Sequence, residues 1–307
     1  MQHRFFFSIS LLFLTVFAHS GEFWHVKPGA GSIKILSMPT EPRQAALAGA
    51  GIASPRNTGE TMRNPLAGAV ANSPVISFSK SEFSDYISAG RAAMLAHSAF
   101  GSWHLTAGIE SLNYDKIQGY TDDGLSSDGD FFTAGTIAAQ LGVAKVFNSM
   151  STGLTFRYSN QHIDDYYEHG ILFDGGVKYD LLKNFSFGAV FNNFGWIFSK
   201  ADEKETVPLS VQAGITASST LPLGFSGALS ADLYRRNDSA QEFRTGLEIM
   251  YRELFALRFG YPVLSNSENE ALSAGFAIKL FFADIEYAYQ NRAVLEANHI
   301  FGISLYF

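Results

Sequence analysis

Hydrophobic and polar positions alternate with a period of two along most of the chain. In "LGFSGALSADL", Leu223, Phe225, Gly227, Leu229, Ala231 and Leu233 fall on one face of an extended strand. Gly224, Ser226, Ala228, Ser230 and Asp232 fall on the other. Phe185, Phe187, Ala189 and Phe191 repeat the pattern against Asn184, Ser186, Gly188 and Asn192, as do Leu154, Phe156 and Tyr158 against Thr155, Arg157 and Ser159. The rule predicts strands over 74–80, 85–97, 101–113, 130–146, 149–161, 168–180, 184–194, 207–218, 222–234, 242–251, 254–261, 271–281, 284–290 and 297–307. That is fourteen, an even number.

The charges assign the two faces. Glu110, Arg157, Asp174, Lys178, Asp232, Arg244, Glu248, Arg258, Lys279, Asp284 and Glu286 all lie among Gly, Ser, Ala and Thr, opposite an aliphatic and aromatic face with almost no charge. A soluble sandwich would turn Lys- and Glu-rich faces to water. Small polar residues with sparse charges suit a crowded watery lumen, and an uncharged aromatic face suits lipid. From the third strand onward long connections alternate with short ones: "YDKIQGYTDDGLSSDGD", "HIDDYYE", "GWIFSKADEKET", "RRNDSAQ" and "PVLSNSENE" against two- to four-residue turns. Transmembrane barrels have long extracellular loops and short periplasmic turns, so with both termini periplasmic the long set falls outside. The fold class is therefore an all-β transmembrane antiparallel barrel of about fourteen strands, in an outer membrane and in contact with its lipid.

Composition agrees. Charged residues are 17%, below the roughly 25% usual for soluble domains, and the chain carries 28 Phe and 28 Gly. The net charge is −7 without a Lys/Arg cluster, which argues against a nucleic-acid partner. Residues 1–20 read as a signal peptide, with Arg4 ahead of an apolar run from Phe5 to Phe17 and small residues at Ala18 and Ser20. The absence of cysteine excludes disulfides, thiolate chemistry and a lipid anchor on Cys.

Residues 21–73 break the alternation. "PRQAALAGAGIA" is small and weakly helical, and Asn64–Pro65 marks a turn. Side chains alone cannot fill a fourteen-strand barrel. The segment is read as a hatch folded into the lumen, the alternative being a periplasmic tail, for which it is rather apolar. Residues 74–307 are the barrel. Its last strand ends the chain on Phe301, Ile303, Leu305 and Phe307, a lipid-facing set like the C-terminal signature read by outer-membrane assembly machinery.

"IKILSMPTEPRQAALAGAGIA…NPLAG", "AGIESLNYDKIQGYTDDG" and "FNNFGW…ETVPLSVQAGI" resemble segments of the PorV/PorQ family, and the length is closer to PorQ. Pro42 and "PRNTGE" depart from the family pattern. The resemblance implies a barrel of FadL type that serves type IX secretion as a non-enzymatic accessory or anchor, with secretion-system or cargo proteins as partners. Within the hatch it points to Arg43, Asn64 and Pro65. The other function compatible with such a barrel is FadL-like transport of hydrophobic small molecules. Tyr120, Trp196 and Phe198, on the long loops, are the candidate partner anchors, or else a membrane-interface girdle.

No enzyme chemistry emerges. There is no G-x-S-x-G or comparable nucleophile motif, and His104 falls on the lumen face. "HIDDYYEH" gathers His162, Asp164, Asp165, Glu168 and His169, but reads as a solvated loop rather than a metal site. "TDDGLSSDGD" lacks calcium-loop spacing. No catalytic residue, cofactor or metal is assigned.

Overall fold

A computed structural model describes residues 31–56, 58–70, 73–84, 87–97, 102–118, 131–199, 206–264, 272–292 and 296–307. Fourteen antiparallel strands close into one barrel. They are β1 (Val75–Ser84), β2 (Ile87–His97), β3 (Trp103–Tyr114), β4 (Ala134–Phe147), β5 (Met150–Ile163), β6 (Tyr166–Leu182) and β7 (Phe185–Ser199). The second half comprises β8 (Ser210–Thr220), β9 (Phe225–Arg236), β10 (Glu242–Tyr251), β11 (Phe255–Leu264), β12 (Ser273–Lys279), β13 (Ala283–Gln290) and β14 (Asn298–Tyr306). Each strand pairs with its sequence neighbours, and β14 closes on β1 with Val75 opposite Tyr306 and Glu82 opposite His299. Closure satisfies every strand edge, which a sheet crossing hydrocarbon requires. A ribbon of Ile117–Gln118 with Phe131–Phe132 stands apart from the barrel.

The wall has the two faces read from the alternation. Leu141, Leu154, Leu229, Leu257, Phe301 and Ile303 are exposed on the outside. Glu110, Arg157, Asp174, Asp232, Glu248, Arg258 and Glu286 are buried inside. An outer surface this apolar is stable only in lipid, so the protein is an outer-membrane barrel. Aromatic residues border the lipid band. Trp103 sits at the periplasmic edge with the Lys145 ammonium 4.3 Å from its ring centre. Tyr158 bonds His169 and Tyr287 bonds His299, both at 2.8 Å, near the opposite edge. An outward ion pair, Lys80–Glu82 at 2.6 Å, lies on β1 where these polar side chains begin.

Two expectations need correction. "HIDDYYE" is not a long loop: β5 and β6 run on to a turn at Asp164–Asp165, with Asp164 at φ 52°. Trp196 and Phe198 are strand residues of β7, not loop residues. β5, β6 and β7 have 14, 17 and 15 residues, more than the roughly 9–11 that span a bilayer, so they stand clear of it. Cross-strand pairs on both faces, such as His162 stacked on Tyr167, keep these segments extended where turn residues alone implied a loop. The C-terminus is periplasmic, as expected, Phe307 N–H bonding Pro74 O at 3.1 Å, while Gly31, the first described residue, lies at the other end. Ser32 N–H bonds Thr206 O at 2.9 Å and Gly31 N–H bonds Asp238 Oδ2 at 3.1 Å, both on the outer rim.

Candidate functional site

From that rim residues 31–70 descend through the lumen to the periplasmic start of β1. The segment is short turns joined by one helical turn, α1 (Pro42–Ala46). Proline opens α1, and Glu41 caps it by accepting from the backbone of Arg43 (3.1 Å) and Gln44 (2.7 Å). Asn64 caps the turn Pro65–Ala69 in the same way, accepting from Leu66 N–H at 3.0 Å, while its amide donates to Ile52 O at 3.2 Å. Arg43, Asn64 and Pro65 are all buried within the barrel.

Glycines on the inner wall let this segment lie against the strands. A Cβ on Gly153 would stand 2.1 Å from Pro65 O, and one on Gly260 would stand 2.2 Å from the carbonyl carbon of Leu47. The same close approach occurs at Gly188 against Ala53 and at Gly302 against Pro42. A strand glycine marks such backbone contacts.

Buried charges then tie the segment to the wall at three places. Glu248 of β10 receives Arg43 (2.9 Å) and Arg56 (2.6 Å) from the segment and Arg258 (2.8 Å) from β11. Arg43 also pairs with Glu60 at 2.8 Å, and Arg258 with Glu286 at 2.6 Å. Burial pushes the Glu60 carboxyl up to about 7, although Arg43 pulls it down. Burial would lower Arg43, but Glu248 and Glu60 outweigh it and raise the guanidinium further. Arg63 forms a fork on Glu110 of β3, at 2.9 and 3.1 Å. Arg157 of β5 pairs with Asp174 of β6 at 2.7 Å and donates to Met62 O of the segment. At this third point β7 carries a bulge. Asn192 and Asn193 both turn inward opposite Asp174, and Asn193, at φ 61°, donates its N–H to Asp174 at 2.6 Å. The bulge reverses the alternation beyond it, which is why Phe194, Trp196 and Phe198 point outward.

Near the rim the lumen divides into two. On one side Ile33, Ile35 and Leu36 are fully packed against Phe83, Leu112 and Leu172 of β1, β3 and β6. Ile33 holds the left-handed conformation, φ 54° and ψ 65°, which costs a branched residue about 1–3 kcal/mol. On the other side a vestibule open at its mouth lies between the segment and β7–β13. Its walls are mostly polar, with Leu36 and Met38 along the boundary with the apolar cluster.

Several candidates from the sequence stand apart from this arrangement. Trp196 and Phe198 lie on the outer surface, 59% and 55% exposed. Tyr120 is outside the described residues, as are residues 1–30. Phe301, Ile303 and Phe307 are exposed on the lipid side and Leu305 is half-buried. Among the described residues no three His, Cys, Asp or Glu groups converge as metal ligands. The vestibule and Ile33 were missed by sequence reading, since nothing local marks either. The inward glycines were the available signal for the close packing.

Neither family models nor curated sequences match the chain. Solved structures do. CymD, a monoaromatic hydrocarbon channel, superposes with a TM-score of 0.60 at 12% identity over 87% of this chain and 97% of its own. The toluene transporter TbuX of Ralstonia pickettii gives 0.58 at 12% identity, over 87% and 98%. A FadL homologue of Pseudomonas aeruginosa gives 0.50 at 10% identity, over 87% and 98%. The chain shares their fold. No family or sequence match supports the PorV/PorQ resemblance specifically.

Proposed function

We propose that this protein is a gated outer-membrane channel for small molecules with an apolar body, FadL-like in action, and that residues 31–70 are its gate. The observation that carries this reading is the apolar cluster of Ile33, Ile35 and Leu36 beside the vestibule. In a lumen lined largely by polar side chains, these side chains fill a site near the mouth that an apolar ligand would favour, and the strain at Ile33 lowers the cost of displacing them. The transport activities named for the structural neighbours point the same way.

The absence of native cysteine allows a direct test. A Cβ on Gly246 would lie 3.1 Å from that of Leu47, within a small adjustment of disulfide geometry. Oxidised Leu47→Cys/Gly246→Cys protein should stop entry of the hydrophobic dye N-phenylnaphthylamine into cells, and reductant should restore it. Equal dye entry before and after reduction would reject the gate.

A second reading is the accessory or anchoring role in type IX secretion. It is supported by the aromatic row Phe194, Trp196 and Phe198 on a strand longer than the bilayer needs. Under it, Trp196→Ser with Phe198→Ser abolishes capture of partner proteins from native membranes while the barrel stays heat-modifiable. Undiminished capture rejects it.

A further inference from the structure

The vestibule indicates what such a substrate carries besides its apolar body. We propose that it binds a neutral, hydroxyl-bearing head group, with the apolar body taking the neighbouring place of Ile33, Ile35 and Leu36. This rests on reading the vestibule as the channel entrance.

Three of the guanidinium groups around the cavity are already matched to carboxylates, and the fourth, Arg292, lies 5.8 Å from the centre of the Phe83 ring. Arg63 is paired with Glu110, Arg236 with Asp238, and Arg244 with Glu242 at 2.5 Å while its guanidinium lies 3.7 Å over the Tyr234 ring. A carboxylate beside Arg63, Arg236 or Arg244 would meet a cation that already has its counter-charge. What the cavity offers instead is neutral hydrogen-bonding capacity. Asn192, 6% exposed, has an Oδ1 with no partner, and this acceptor needs a donor, which a carboxylate lacks. The hydroxyls of Ser210, Ser273 and Tyr234, on three different strands, also line the cavity and make no hydrogen bond among the described residues. These residues are 4%, 1% and 8% exposed, so their side chains are held by packing. Hydroxyls both donate and accept, so a head group that carries several can serve these side chains together. A hydrocarbon serves none, and would leave buried polar groups dry. Leu36 and Met38, shared by cavity and cluster, place head and body side by side.

The test measures binding to the full chain in lipid nanodiscs, with empty discs as background. Octyl glucoside below its micellar concentration, octanoate and toluene are the probes. Octyl glucoside should bind about tenfold or more tightly than either of the others, the discrimination typical of a site built to hydrogen-bond its ligand. Ser210→Ala/Tyr234→Phe/Ser273→Ala, which keeps the ring under Arg244, should bring the ratio close to one while toluene binding and heat-modifiable migration stay unchanged. Octanoate or toluene binding as well as octyl glucoside overturns the inference. So does a preference that survives the triple substitution, or no binding by any probe. The cysteine lock separates the two ideas. Gated dye entry with three equal probes removes only the head-group site, whereas a head-group preference in a chain whose dye entry ignores the lock removes only the gate.

Discussion

Gly153→Ala combined with Gly260→Ala should expel the lumen segment and open the barrel. Each new methyl group would sit about 2 Å from main-chain atoms of that segment, at Pro65 and Leu47, with no flexible side chain to yield. Ordinary overpacking costs about 1–3 kcal/mol per site, and a clash with backbone lies at or above the upper end. The strands themselves accept alanine, since neither glycine has a positive φ. The barrel should therefore form and migrate as a heat-modifiable species. In planar bilayers its conductance should rise several-fold above that of the unmodified chain, which should conduct poorly. Gly227→Ala is the control, because its methyl group would meet nothing closer than 3.8 Å and should change neither quantity. A double variant as closed as the parent would mean that the segment does not block the lumen.

Glu248→Gln should weaken the attachment of the same segment by electrostatics rather than sterics. Glu248 is buried and faces Arg43, Arg56 and Arg258. Removing its charge leaves three guanidiniums around a neutral amide, with Glu60 still paired to Arg43 and Glu286 to Arg258. Breaking a buried pair by taking away one partner costs about 3–5 kcal/mol. The loss should fall mainly on the segment, because the β10 ladder to β9 and β11 does not depend on the carboxylate. Limited proteolysis in detergent should cut residues 31–70 at much lower protease concentration than in the parent, while the barrel band persists. Adding Arg43→Gln should recover part of the loss by removing one of these cations, a coupling of about 1–3 kcal/mol in a double-mutant cycle. Equal protease resistance of Glu248→Gln and the parent would show that the ion pairs do not hold the segment.

The legibility of this protein follows the range of the forces involved. Strand number, direction and facing are local. A period of two appears in any eight consecutive residues, and water and lipid impose the same sorting on each strand. The fourteen strands and their lipid and lumen faces could therefore be read from alternation, from inward charges such as Glu110, Asp232 and Glu286, and from connection lengths. The break in that alternation marked residues 21–73 as a separate segment.

What the chain alone did not disclose depends on partners far away along it. Arg43 meets Glu248 across 205 positions, Gly31 meets Asp238 across 207, and no local pattern marks either pair. The bulge at Asn192 and Asn193 inverted the facing of Trp196 and Phe198, because one inserted residue turns every later side chain to the other face. The strands beyond the bilayer at β5 to β7 are stabilised by cross-strand pairs that turn-forming residues conceal. The sequence by itself determined a closed barrel with a lipid-facing wall and a polar inside, since those features need only the alternation and its solvents. The tertiary structure decided how the inside is filled: which carboxylates clamp the segment, that Gly31 and Ser32 are held at the outer rim, and that the segment leaves an apolar site beside a polar vestibule. Those features depend on which distant side chains a closed wall brings together, and only the folded chain supplies that geometry.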